Sequence, residues 1–360
     1  MKTLFRILIV LSFLAIIFFY SSNSNNNYEP LEGPNSSSPI IPKSENDLEI
    51  LQEALPRPEQ GVSTLIGNNS KVLLEQYGEP KRIDASAYGY EWWVYNDHPG
   101  QFIMFAVDED VITQVYTSGP SIDISPYKIG QSLSDIYRMT IISSEVVAKI
   151  NDNIYTFTMS EDDMNTRILT KFDDIFAQLY IDSEQGILSG IRYTDSKSLV
   201  MLRPYEMSFV GELLSPPNPT SYLIEESNKA SAYQLHDLLN EFRFQNNIPP
   251  IENDQEVSTL AMQHSEDMYS QSYLSHESPT KGSLKDRLDE VNILYKDAEE
   301  NIATAYNDSI EAVHGWLNSS AHREYMMDNR FTHVGSGVFI NYYTHIFIQK
   351  PEEEEKEQIE

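Results

Sequence analysis

The period of the apolar pattern changes once along this chain of 360 residues, and that change limits the folds open to it. Before residue 205 the apolar residues come in short runs rich in aromatic and β-branched types, at 88–95, 102–107, 111–116, 154–159, 175–181 and 190–193. Such runs, separated by acidic or Gly-containing turns, predict β-strands. After residue 230 the spacing becomes helical. Leu235, Leu238, Leu239 and Phe242 fall on one face of a helix that Pro249 and Pro250 stop. Val257, Leu260, Ala261, His264 and Met268 share one face of a second helix. A third is predicted from Asp308, where Asp308 and Glu311 make a start like a capping box before Ile310, Val313 and Leu317. Two strand-like runs, 334–341 and 343–349, follow. The fold class predicted is α+β, with a β-rich domain first and a mixed domain after it.

Residues 1–20 are predicted to be a signal peptide or membrane anchor. Lys2 and Arg6 lead into an apolar run at 7–20, the pattern of an export signal. No small-x-small cleavage site precedes Phe18, Phe19 and Tyr20, and the run from Leu4 is just long enough to span a bilayer. A retained anchor with the rest outside the cytoplasm is therefore expected, a cleaved signal being the alternative. Residues 21–47, rich in Ser, Asn and Pro, are predicted to be a disordered linker. The β-rich domain is predicted at 48–205. Ile66-Gly67-Asn68-Asn69 and Ile129-Gly130-Gln131-Ser132 each open a short helical pattern followed by strands, which predicts two similar units in tandem. The aromatic residues Tyr88, Tyr90, Trp92, Trp93 and Tyr95 could form a binding face, but packing of a sheet is the expected role. Residues 206–229, with Pro216, Pro217 and Pro219, read as a connector. The second domain is predicted at 230–350, and a fragment from about 225 is expected to fold by itself. Residues 351–360 are an acidic tail, predicted to be disordered.

Charge and cysteine usage exclude several functions. The 55 Asp and Glu residues against 25 Lys and Arg give a net charge of −30, which repels nucleic acid and disfavours docking on an anionic membrane surface. The N-terminal segment remains as the membrane contact. With no cysteine, disulfides, thiolate zinc sites, a Cys nucleophile and a lipidated Cys anchor are all excluded.

There is no Gly-rich phosphate loop, HExxH or nucleophile elbow. What remains is a clustering of histidines, seven of the eight lying beyond residue 230. His264, on the apolar face of its helix, is expected to be a buried, hydrogen-bonded core residue. His276 follows that helix in a loop, Glu300 precedes the third helix, and His322 lies at its far end. Two imidazoles and one carboxylate would suit a divalent cation such as zinc. They would equally suit acid–base work, with Glu300 the candidate catalytic base.

Several words occur in order along the last third: Leu239-Asn240-Glu241-Phe242-Arg243, Leu260 to Met268, Tyr273-Leu274-Ser275-His276, Asp286-Arg287-Leu288, Glu300-Asn301-Ile302-Ala303, Trp316-Leu317-Asn318-Ser319, His322-Arg323 and Phe331 to Gly337. This ordered set resembles the CAP superfamily (SCP-like, pathogenesis-related-1-like) in its bacterial form. The preceding region is similar to the N-terminal domain that accompanies CAP domains in Gram-positive bacilli. The resemblance implies an α-β-α sandwich with a cleft lined by two histidines and two acidic residues. It puts the histidines at His276 and His322 and one acid at Glu300. Ser319 stands where many members have the second acid, which leaves the cleft one carboxylate short for a metal. Glu299 replaces a usual Gly and could supply the missing charge, but it is expected to face solvent. The function implied is an extracytoplasmic, membrane-tethered binding module whose cleft takes a divalent cation, such as Zn2+, or a small polar ligand. The alternative is a metal-assisted hydrolase acting on peptides or cell-wall components, and a third reading is lipid capture in an apolar groove. The expected partners are the membrane, through the N-terminal segment, and an envelope protein or wall component.

Overall fold

The computed structural model describes residues 29–34, 39–43 and 54–351. The predicted anchor at 1–20 and the tail after Pro351 lie outside the described residues.

Two short strands come first, β1 (Leu31–Glu32) and β2 (Ile40–Pro42). One unit then runs as α1 (Lys71–Tyr77), β3 (Arg82–Ala85), β4 (Glu91–Tyr95), β5 (Ile103–Asp108) and β6 (Val111–Thr117). A second runs as α2 (Leu133–Met139), β7 (Glu145–Ile150), β8 (Asn153–Thr158), α3 (Glu161–Thr166), β9 (Arg167–Phe172), β10 (Ile175–Asp182) and β11 (Ile187–Asp195). It closes with α4 (Ser196–Leu202) and β12 (Glu206–Val210). The units join in one antiparallel seven-stranded sheet, β3-β4-β5-β6-β11-β10-β9, meeting where β6 pairs β11. Their likeness is local as well. Gly67 donates its N–H to the Ile112 carbonyl and Gly130 to that of Leu188, both at 2.8 Å. Both glycines have positive φ, 88° and 84°. This left-handed turn, which glycine adopts without strain, ties each short helix to the last hairpin of its unit. The second unit differs by the hairpin β7–β8, which joins β2 and β12 in a separate four-stranded sheet.

The second half contains α5 (Ser221–Gln245), β13 (Glu252–Asn253), α6 (Gln255–Gln271), α7 (Leu284–Glu290) and β14 (Asp297–Thr304). It ends with α8 (Ser309–Leu317), α9 (Ser320–Met327), β15 (His333–Phe339) and β16 (Tyr342–Gln349). The sheet order is β1-β14-β16-β15-β13. Strand alternation divides its faces. Ile346 and Ile348 of β16 pack with Val257 and Ala261 of α6 and Leu288 of α7. Tyr343 and Phe347 point the other way, into a cluster with α5, α8 and α9. This is an α-β-α sandwich. α6 lies hard against β15: a β-carbon on Gly337 would overlap the α6 backbone at Ala261 and Met262, and one on Gly335 would overlap it at Val257 and Ser258.

Three parts of the structure depart from the sequence reading. Residues 21–47 are not wholly a disordered linker, because β1 pairs in parallel with β14 and β2 with β12. Edge pairing uses backbone groups, so segments of two or three residues can do it without showing a periodic apolar pattern. The predicted connector begins with β12, and α5 starts at Ser221, capped by Thr220, nine residues before the apolar stripe announces it. Its first turns carry exposed Tyr222 and Glu225 and half-buried Glu226, so no periodicity marks them. The third departure is that the two halves share a core. Tyr90, Trp92, Phe102, Met104, Tyr116 and Tyr180 pack in one cluster with Leu235, Leu238, Phe242, Val313 and Trp316. Trp93 and Tyr95 turn into the first domain's own core. Fully buried Arg192 pairs with Asp308 at 2.5 Å, and the Tyr116 hydroxyl meets His314 Nε2 at 2.9 Å across the same junction.

Candidate functional site: a histidine cleft around a buried Glu–Arg pair

Glu300 sits on β14 opposite Ile346, so its side chain leaves the sheet on the α6–α7 side, where it is 4% exposed. Asn301, the next residue, points to the opposite side and donates to the His322 carbonyl in α9 at 3.0 Å. Glu300 was read from sequence only as preceding a helix. No strand was predicted there, because the run Asp297-Ala298-Glu299-Glu300-Asn301 is too polar to alternate.

Three side chains converge on Glu300 Oε1. Arg287 Nη2, from α7, donates to it at 2.7 Å and also to the His276 carbonyl at 3.1 Å. His276 Nδ1 lies 3.1 Å from the same oxygen. His264 Nε2, from α6, stands 3.9 Å away, an electrostatic neighbour rather than a hydrogen-bond partner. α7 is fixed by a reciprocal cap between Ser283 and Asp286, which holds Arg287 one residue further on. His322 lies inside α9, a separate helix, rather than at the end of the third predicted helix. Its Nδ1 is 2.7 Å from the hydroxyl of Ser319. The serine that stands in place of an acid thus orients the histidine.

Burial pushes the Glu300 carboxyl up, but the Arg287 guanidinium, the His276 hydrogen bond and the His264 ring outweigh it and hold the pKa at about 2. Burial pushes His264 down to about 4 against the pull of Glu300. It pushes His322 to about 4 as well, with the charge of His276 acting in the same direction. Near neutral pH the cleft therefore holds one carboxylate, one guanidinium and at least two neutral imidazoles. An ionised carboxylate only accepts, so His276 Nδ1 carries the proton of its bond to Glu300. In neutral His276 that leaves Nε2 a bare acceptor. His276 Nε2, His322 Nε2 and Glu300 Oε2 are buried and have no hydrogen-bond partner in the protein.

These residues do not fit a metal centre well. Among the described residues no group of three His, Cys, Asp or Glu side chains is arranged to hold an ion. Of the three expected ligands, His276 and Glu300 touch, whereas His322 bonds to Ser319. A guanidinium already lies on the one carboxylate. Glu299, expected to face solvent, is instead half-buried on the opposite side of the sheet, across from Phe347. Burial raises its carboxyl, opposed by a hydrogen bond from Tyr325.

Two residues of the cleft were missed from sequence. His264 is buried as expected, at 1% exposure, but neither ring nitrogen has a partner, so it belongs to the cleft rather than to a satisfied core. Arg287 was visible in Asp286-Arg287-Leu288 without a role. Its signal was position: Leu284, Arg287 and Leu288 share one helix face, and a cation on an apolar face calls for a buried anion.

Residues 66–205 match the CAP-associated N-terminal family, and residues 236–349 match the cysteine-rich secretory protein family, CAP. A Bacillus subtilis protein described as the uncharacterized membrane protein YlbC is 36% identical over 350 residues, covering 97% of this chain and 100% of that one. The chain belongs to the CAP family. A solved extracellular SCP-domain protein from Bacillus anthracis superposes with a TM-score of 0.77 at 36% identity, over 84% of this chain and 100% of its own. A cysteine-rich secretory protein from Staphylococcus aureus gives the same TM-score at 25% identity, over 90% and 99%. This CAP protein has no cysteine, so no disulfide braces its sandwich. No helix among the described residues is long and apolar enough to cross a membrane.

Proposed function

We propose that this CAP protein is an extracytoplasmic, membrane-tethered binding module whose histidine cleft takes a small polar ligand. The observation that carries the proposal is the set of buried, unpartnered atoms His276 Nε2, His322 Nε2 and Glu300 Oε2 around a fixed Glu300–Arg287 pair. Together they offer a ligand one carboxylate oxygen that accepts and two imidazole nitrogens that accept or donate according to tautomer, and buried polar groups without partners cost free energy until something satisfies them. The tether is supported by the basic-then-apolar start and by the relatives, one described as a membrane protein and one as extracellular.

Hydrolysis with Glu300 as general base is the weaker reading. A base works best with a pKa near the working pH, and a carboxylate held at about 2 takes up a proton poorly. A cation is disfavoured by the guanidinium 2.7 Å from Glu300. The test follows the His276 and His322 ring resonances of the full chain at pH 7 against a panel of amides, amino acids, sugars and zinc. Saturable shifts with a small polar compound, weakened in His276→Ala and His322→Ala, are expected. Tight zinc binding, or turnover of peptides or wall fragments that Glu300→Gln abolishes without unfolding, would overturn the reading.

A further inference from the structure

A groove of 630 Å³ lies between α5 and α6, floored by the end of β15, and none of the cleft histidines lines it. Its volume is in the range of ligand sites. Its apolar lining includes Tyr233, Met262 and Phe339. The rest is dominated by neutral hydrogen-bonding side chains, among them Asn228, Asn253, Gln255, Ser258 and Thr259. At the domain junction a smaller pocket of 130 Å³ shares Ile224, Asn228 and Ile340 with the groove and is walled by Tyr88, Tyr90 and Trp92. Tyr90 and Trp92 are buried there, so of the first domain's aromatic run only Tyr88 is partly open beside the groove. At the groove's other end the ring of Tyr269, 43% exposed, lies 5.2 Å from that of Phe339.

The lining excludes several occupants. An anion would meet Glu225 and Glu266, while Lys229 is already held by Glu225 at 2.8 Å and Glu226 at 3.0 Å. An extended peptide adding to β15 would need a free strand edge. Two donors of that edge are already taken, for Ser336 N–H donates to Ser258 Oγ at 3.3 Å and Ile340 N–H to Asn228 Oδ1 at 2.9 Å. A hydrocarbon chain would take the polar ends of Asn228, Asn253, Gln255, Ser258 and Thr259 away from water without offering them partners. A ligand with both C–H faces and hydroxyl groups matches rings and amides alike, because rings offer flat apolar contact and the side-chain amides both donate and accept.

We propose that this groove binds a neutral glycan chain, its sugar rings lying against Tyr233 and Phe339 and its hydroxyls on the Asn, Gln and Ser side chains. The test is calorimetric titration of the full chain, held in a detergent without a sugar head group, with a neutral N-acetylhexosamine tetramer. Saturable binding is expected. Tyr233→Ala should weaken it about tenfold, the scale of one aromatic contact. Gln255→Ala, at an exposed position that does not risk the fold, should weaken it by a smaller factor. Tyr137→Ala, an exposed ring on α2 outside the groove, should leave it unchanged. Absence of saturable heat at about 10 mM tetramer would overturn the proposal, since affinity that weak is not recognition. So would uptake of a fluorescent fatty acid or of tetra-alanine that the tetramer fails to displace and Tyr233→Ala abolishes.

Discussion

Replacing Arg287 by Met tests the electrostatic account of the cleft. Arg287 and Glu300 are each 3% exposed at the side chain, so water screens their pair little. Burial alone would raise the Glu300 carboxyl, and Arg287 is the largest of the influences that bring it down to about 2. A drop from the ordinary value of 4.5 to about 2 corresponds to roughly 3 kcal/mol. Breaking a buried pair by removing one partner costs about 3–5 kcal/mol, a similar figure reached independently. At roughly 2 cal/mol/K of unfolding entropy per residue, a loss of this size lowers Tm by about 5 °C if the two domains unfold together. The pH dependence carries the sign. In the wild type the folded pKa of Glu300 is depressed, so its contribution is present above about 4.5 and is lost as pH falls towards about 2. In Arg287→Met that pKa rises, so the deficit should be greatest at pH 7 and should shrink as the carboxyl protonates. Scanning calorimetry of Arg287→Met and of Arg287→Met/Glu300→Gln at pH 7 and pH 4.5 reads both effects. The double variant should recover much of the loss, because it leaves no unpaired buried charge. A single variant within 1 kcal/mol of wild type at pH 7, or a double variant no more stable than the single, would refute the reasoning.

Three further outcomes follow from the structure. Burial lowers His264 and His322 to about 4, and His314 and His345 to about 3, below the ordinary 6.5, so the unfolded chain binds protons more readily. Stability should therefore be full above pH 6.5 and fall as pH drops towards 4, by about 2 kcal/mol per histidine at pH 5; urea unfolding that is flat between pH 7 and 5 would contradict this. The fragment from about 225 to 350, expected from sequence to fold alone, should show no cooperative thermal transition, because it exposes the face of Leu235, Leu238 and Trp316 that Trp92 and Phe102 cover. Correspondingly, Trp92→Ala in the full chain should destabilise both domains by about 3–5 kcal/mol, measured by calorimetry. Gly337→Ala should cost about 2 kcal/mol or more by pushing α6 off β15, and should disturb the His264 ring resonance by NMR, whereas a change in stability alone would mean that the helix tilts without moving the cleft.

The chain's α+β class and its tandem units were legible because each leaves a periodic or repeated trace, whereas the sandwich was legible only through the family resemblance. Val257, Leu260, Ala261 and Met268 mark α6 by spacing alone, and Ile66-Gly67 and Ile129-Gly130 mark the two units because the left-handed turn favours glycine. Elements made from backbone pairing left no such trace. β1 and β2 are edge strands of two and three residues inside a polar stretch, too short to show a period; β14 is acidic at its start, and the first turns of α5 are partly solvated, so each read as linker or loop. The shared core was hidden for a different reason. Tyr90 and Trp92 alternate with residues of the opposite face just as they would in a sheet covered by its own domain, and alternation says that a face is buried without saying what buries it.

The cleft follows the same division. His276 and Glu300 could be named because the ordered words around them fix their place in the fold, and Ser319 could be named as a departure from that order. Arg287 and His264 change the chemistry more than Ser319 does, yet one was quoted only within a family word without a role and the other was read as core. A carboxylate and two imidazoles without a fixed cation suggest a metal site, and the same three groups around a buried guanidinium suggest a polar-ligand site. The difference between those readings rests on one helix face, Leu284, Arg287 and Leu288, which turns a positive charge inward. In a chain this acidic, a cation directed inward carries more information than any of the 55 anions, because only a buried partner can offset the loss of its water.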